Sequence, residues 1–183
     1  MGSRQTLSET ERRTLARWAA ACAEHVIALF GTDDTDADRV VRDALTRTAA
    51  FARGESTAAA EIRRRMEAVK AAGSASTPAG AAAARSVAQA AAVAHLGAHA
   101  LGAAAYAVKA VSVASPDRPD VVSDEIAWQL AQLTEAERDA LRRLPLLGAE
   151  ATGPLGAGLL TTGVLGEAVR AIQAAVTGAP LPK

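Results

Sequence analysis

Residues 78 to 114 contain no Asp or Glu, and Arg85 and Lys109 are their only formal charges. Almost every side of such a segment can pack against protein, so it belongs at the centre of a fold. The rest of the chain suits that centre. Forty-eight of the 183 residues are alanine, and aromatic residues make up only 3%. Alanine is the best helix former, and β-branched or aromatic runs are scarce, so local propensity points to helix throughout. Gln89, His95 and His99, together with the two cations, make 78–114 poor material for a membrane span. The expected fold class is all-α: a single compact bundle of six to eight helices over residues 1–183, arranged around a long alanine-rich central helix. At roughly 1.5 Å per residue that helix would reach about 55 Å, too long for a domain of this size. A bend or break is therefore expected near Gly97 or Gly102.

Punctuation along the chain divides the remainder. Ser8 with Glu11 forms a capping box that opens a helix over about 9–30, stopped at Gly31. Residues 1–8 are left as a flexible start. Thr35 with Asp38 opens a second helix, closed by Gly54, whose inward side carries Val40, Val41, Ala44, Leu45, Thr48, Phe51 and Ala52. A third spans about 57–72, with Ala58, Ile62, Met66 and Val69 as its apolar stripe. Thr77-Pro78 starts the central helix with an N-cap and a proline at the first helical position. Asp120 begins a helix with Ile126, Trp128 and Leu130, and Thr134 with Glu137 begins another. Six glycines within 146–166 predict a loop or loosely packed segment before a last helix near 167–176. Trp18, Phe30, Phe51, Tyr106 and Trp128 are the expected large anchors among small side chains.

Charge excludes some functions. Lys and Arg number 20 and Asp and Glu number 20, so no global field draws the chain to nucleic acid or to an anionic membrane. The single cysteine, Cys22, allows no internal disulfide, and the N-terminus has no secretory pattern, so a cytoplasmic protein is expected. Arg63-Arg64-Arg65 is flanked by Glu61 and Glu67 and reads as a solvated face. Asp33, Asp34, Asp36 and Asp38 read as capping residues, because the calcium-loop glycine and terminal glutamate are missing. The Gly153-Pro-Leu-Gly-Ala-Gly run follows no strand and is not a phosphate loop.

Three histidines carry what chemistry there is. Leu15, Trp18, Cys22, His25, Val26 and Leu29 share one side of the first helix, which points His25 inward. His95 and His99, spaced i and i+4, would project together from the central helix along a stripe continued by Ala88, Ala92, Gly102 and Tyr106. If the three imidazoles meet, His95, His99 and His25 could hold zinc or another divalent metal with an open position. Without metal, His25, His95 and His99 could act as general acid and base in a pocket lined by Trp18, Cys22 and Tyr106. The bland alternative is neutral core histidines, with Cys22 a small buried hydrophobe rather than an activated thiolate. No cofactor is demanded by any motif, and enzymatic activity is left open.

Three blocks together bring a known family to mind: Trp18-Ala-Ala-Ala-Cys22-Ala-Glu-His25-Val-Ile-Ala-Leu-Phe30, then Ala94-His95-Leu-Gly-Ala-His99 through Tyr106 to Lys109-Ala110, then Glu125-Ile-Ala-Trp128-Gln129. Over about 9–138 the chain resembles the bacterial putative immunity protein family similar to immunity protein five, small all-helical proteins assigned by genomic context to polymorphic toxin systems. The resemblance implies a cytoplasmic protein that neutralises a partner toxin by binding it, without catalysis. The residues themselves leave a second reading, a small-molecule-binding protein or an enzyme of a biosynthetic or resistance pathway with a histidine-lined pocket. The expected partner is accordingly a protein toxin or a small ligand, with no nucleic acid and no membrane. Apolar helix sides near both chain ends would also suit a homodimer.

Overall fold

The computed structural model describes residues 3–179. Its helices are α1 (Glu9–Val26), α2 (Thr35–Ala52), α3 (Ala58–Arg64), α4 (Glu67–Ala71), α5 (Pro78–Ala92), α6 (His99–Ala114), α7 (Val121–Ala131), α8 (Glu135–Arg142) and α9 (Gly163–Thr177). Short 3-10 turns follow α1 and α4 and precede α9. Among the described residues there is no strand, only an isolated bridge between Glu150 and Gly156. The fold is all-α, as composition implies. The capping boxes at Ser8/Glu11 and Thr134/Glu137 are both present, and Thr77 caps α5 with Pro78 behind it. At α2 the cap is Asp34, one residue before Thr35, whose carboxylate accepts from the amides of Asp36 and Ala37.

The central segment is a hairpin rather than one rod. Residues 93–98 leave the helical pattern, and α6 returns antiparallel along α5, so Ser86 lies opposite Ala103 and Gln89 opposite Gly102. Breaking a helix inside a core strands amide groups, each of which needs a partner. The N-terminal segment supplies two. The amide of Gly97 donates to the Thr6 carbonyl at 3.1 Å and that of Ala98 to the Gln5 carbonyl at 3.1 Å. A Cβ on Gly97 would lie 2.7 Å from Leu7 Cδ1, so glycine allows this close approach.

Small side chains then let backbones meet. The buried Ser86 hydroxyl donates to the Ala103 carbonyl at 2.7 Å, a contact possible only where two helices approach closely. α6 is enclosed by α5, α1, α9 and α7, and Ala100, Leu101, Ala103, Ala104, Ala105, Ala107 and Val108 are all inaccessible. Trp18 is inaccessible and donates its indole N–H to the Gln129 carbonyl at 2.9 Å.

Of the expected flexible start, residues 1 and 2 lie outside the described residues, and the segment around Gln5 and Thr6 is anchored. Gln5 is 1% exposed, donates to Glu150 Oε2 and to the Thr152 carbonyl, and accepts from the Leu155 amide. One side chain thus fastens the glycine-rich segment to the hairpin turn. That segment ends at the start of α9, four residues earlier than the last helix was placed from sequence.

Two expectations about facing are corrected. The helix expected over 57–72 is split at Arg65–Met66: Ala58 is buried and Ile62 packs on the core as expected, but Met66 and Val69 are about half exposed while Glu61 is buried. The cause is Arg47 of α2, itself mostly buried, which pairs with Glu61 at 2.7 Å and also with Asp43 and Glu67. Burying Glu61 beside its cation takes a place on the inward side, and Met66 and Val69 beyond the break face out. Trp128, expected as a core anchor, is only half-buried.

Gln5→Ala strips the Leu155 amide and Thr152 carbonyl of their partners and should cost about 2 kcal/mol or more. Trp18→Ala should cost about 3–5 kcal/mol, and Trp128→Ala no more than half of that. Urea denaturation of the three variants measures the order.

Candidate functional site

The histidines fall into two places. His25, at the end of α1, is 40% exposed at its side chain rather than turned inward. Its Nδ1 lies 2.9 Å from Glu125 Oε2, and its ring stacks on Trp128 with centroids 3.7 Å apart and planes 13° from parallel. Glu125 is buried, and its other oxygen accepts from Gln129 Nε2 at 2.9 Å. The same Nε2 donates to the Ala104 carbonyl of α6, while Gln129 Oε1 is buried without a partner. The exposure of His25 follows from this seam. A buried carboxylate on α7 holds one nitrogen at the protein surface, and an aromatic ring covers one face.

His95 lies in the turn between α5 and α6, exposed, rather than on a helix one turn from His99. Partial burial and the nearby Arg65 and Arg12 hold its pKa below the usual imidazole range. His99 is the first residue of α6, and its Nδ1 lies 2.8 Å from Gln89 Oε1. Gln89 can fold across α6 because residue 102 is glycine: a Cβ there would sit 2.3 Å from Gln89 Oε1. Accepting at Oε1 makes Nδ1 the protonated nitrogen and leaves Nε2 as an open acceptor. Burial, with lesser contributions from His95 and Arg65, lowers the His99 pKa to about 4, so the ring is neutral at physiological pH.

His99 opens on a cleft of about 230 Å³ with Gln89 and Tyr106, closed on the far side by Gly153, Pro154 and Leu159. A second cleft of about 250 Å³ shares Gln89 and Tyr106 and is bounded by Arg85 of α5 and Val69 of α4. Tyr106 is 5% exposed, and its hydroxyl has no hydrogen-bond partner among the described residues. Burial raises its pKa, against a smaller opposing effect of Arg85. Gln89 and Arg85 were not singled out in the sequence, although Arg85, Gln89 and the stripe from His99 through Gly102 to Tyr106 follow helical spacing.

The hollow expected to unite His25, His95 and His99 is therefore replaced by a seam on α1 and α7 and a cleft on α5 and α6. Of the proposed pocket residues, Tyr106 joins His99. Trp18 and Cys22 are inaccessible, and burial, followed by Glu125 and Glu137, pushes the Cys22 thiol well above its usual pKa. Cys22 behaves as a small hydrophobe. Among the described residues no group of three or more His, Cys, Asp or Glu side chains is placed to hold a metal ion. No helix is long and apolar enough to cross a membrane.

The family model for the Imm-5 like putative immunity protein matches residues 5–136. No curated protein and no solved structure matches the chain.

The unfolded chain protonates His99 near 6.5 and the folded chain near 4, so between these values the unfolded state binds more protons. Stability then falls as pH drops through that window, by about 3 kcal/mol when complete. His99→Gln should remove most of this loss. Denaturation midpoints of both proteins at pH 7 and pH 4.5 provide the comparison, and parallel losses would contradict it.

Proposed function

The chain belongs to the Imm-5 like putative immunity protein family, and we propose that it is a non-catalytic binding protein that neutralises a partner protein toxin in the cytoplasm. The match over residues 5–136 carries this reading. It takes in α1 to α7 and therefore the whole α1–α7 seam.

The contact surface in this proposal is the seam around His25 and Trp128. An aromatic side chain that is half-buried in the free protein brings large apolar area to an interface at little cost in conformational freedom. Trp128 is held in place by the stacked His25, and His25 by the buried Glu125, so the pair is preorganised. A catalytic role is less well supported at this place. The only thiol nearby, Cys22, is inaccessible and protonated.

A second reading, a site for a small ligand, rests on a different observation: the neutral His99 and the unpartnered Tyr106 hydroxyl open on one cleft. The two readings use different residues and are separable.

The test of the binding reading takes the genes that flank this one and co-expresses the chain with a toxin domain found there, read as survival of the host and as a complex on size exclusion. Trp128→Ala should weaken the purified complex at least tenfold, about 1.4 kcal/mol, while His99→Gln leaves it within twofold. A toxin that kills in the presence of the wild-type protein, or a complex indifferent to both Trp128→Ala and His25→Ala, would defeat it.

A further inference from the structure

The two clefts on the α5–α6 hairpin share Gln89 and Tyr106 and are otherwise lined by unlike residues. In one, Arg85 is exposed and makes no salt bridge among the described residues. The Tyr106 hydroxyl beside it belongs to a side chain that is 5% exposed and has no partner there. Neither cleft is lined by an acidic residue, and the sequence places none anywhere between residues 78 and 114. The nearest acid on α4, Glu67, is engaged by Arg64 and Arg47. This cleft offers hydrogen-bond donors and positive charge with nothing to neutralise them. A guanidinium beside a phenol suits a carboxylate, which can accept two parallel N–H bonds and one O–H bond.

The other cleft differs. Gln89 is committed to His99 and lines both clefts. Beyond it, Pro154, Leu159 and Leu160 make an apolar wall, and Leu159 is 63% exposed. His99 adds an imidazole to that lining. Along α6 the seven-residue separation of His99 from Tyr106 spans about 10 Å. The recognised molecule thus carries an anion at one end and an apolar body of several carbon lengths.

We propose that the two clefts together bind a carboxylate carried on an apolar body, with Arg85 and the Tyr106 hydroxyl holding the carboxylate in one and Pro154, Leu159 and Leu160 covering the body in the other. The carboxylate belongs either to a free organic acid or to an acidic side chain of a bound partner, and the chemistry at Arg85 is the same in both. The site is distinct from the His25–Trp128 seam and does not depend on toxin binding there.

The probe is 4-phenylbutanoate, with uncharged 4-phenylbutanamide as control, titrated into the full chain and followed by NMR. Tyr106 is the only tyrosine, so its ring signals report on the cleft without ambiguity. Saturable shifts of the Tyr106 and His99 rings are expected, with a dissociation constant of about 1 mM or tighter and the amide at least tenfold weaker. Arg85→Gln, a surface change, should weaken the acid at least tenfold, and Tyr106→Phe, which removes one oxygen, about threefold. No saturable shift, equal binding of the amide, or an Arg85→Gln variant that binds as wild type would each overturn the proposal. A second arm adds the toxin domain. If toxin displaces the acid and Arg85→Gln weakens the complex, the carboxylate comes from the partner; if acid and toxin bind together, it comes from a free acid. Failure of toxin binding with the acid still bound would remove the immunity reading and leave this site standing.

Discussion

The structure turns on two amide hydrogen bonds. An alanine-rich segment of this length favours helix nearly throughout, and Gly97 and Gly102 are its weak points. It folds back because the amides released at Gly97 and Ala98 are accepted by the carbonyls of Thr6 and Gln5. Without those acceptors the turn would bury unpaired donors, a cost of the order of 1–3 kcal/mol each. The hairpin places Gln89 across Gly102 and Arg85 on the same cleft as Tyr106, so the candidate ligand site follows from how the chain start meets the middle.

Helix ends were legible from residue types and spacing. Ser8 with Glu11, Thr134 with Glu137, and Thr77 with Pro78 work locally, within one turn, so the sequence alone contains every participant. Facing was legible only where the partner is hydrocarbon. Leu15, Trp18, Cys22 and Val26 are buried as helical spacing requires. His25, on the same wheel, is not, because Glu125 a hundred residues away holds it at the edge. Glu61 and Met66 exchange places for a similar reason: Arg47 supplies a charge partner that no wheel of the third helix contains. Gln5 was missed altogether. A glutamine before a capping box carries no local signal, and its role exists only once the tail at Thr152 and Leu155 has come round to meet it.

The blocks that suggested the family do meet in space, though not as an imidazole cluster. Trp18 donates to the backbone of Gln129, His25 pairs with Glu125, Trp128 covers His25, and Gln129 reaches the Ala104 carbonyl. Residues from all three blocks thus lock α1, α6 and α7 together. Much of what makes those blocks distinctive is the joining of helices, and the outer faces of His25 and Trp128 and the exposed His95 are left for a partner.

The cleft divides differently between shared and individual parts. Arg85, Gln89, His99 and Tyr106 lie within the matched residues 5–136, whereas Gly153, Pro154, Gly158, Leu159 and Leu160 lie beyond them. The polar end is thus built on the hairpin that the family match includes, and the apolar wall on a segment outside it. That wall is held by Gln5, whose amide would clash with any side chain at position 153, where φ is +84° and glycine is required in any case. A change of ligand body could then come from exchanging Leu159 or Leu160 alone. Arg85, on α5, lines the other cleft and is not among the residues that those leucines share a cavity with.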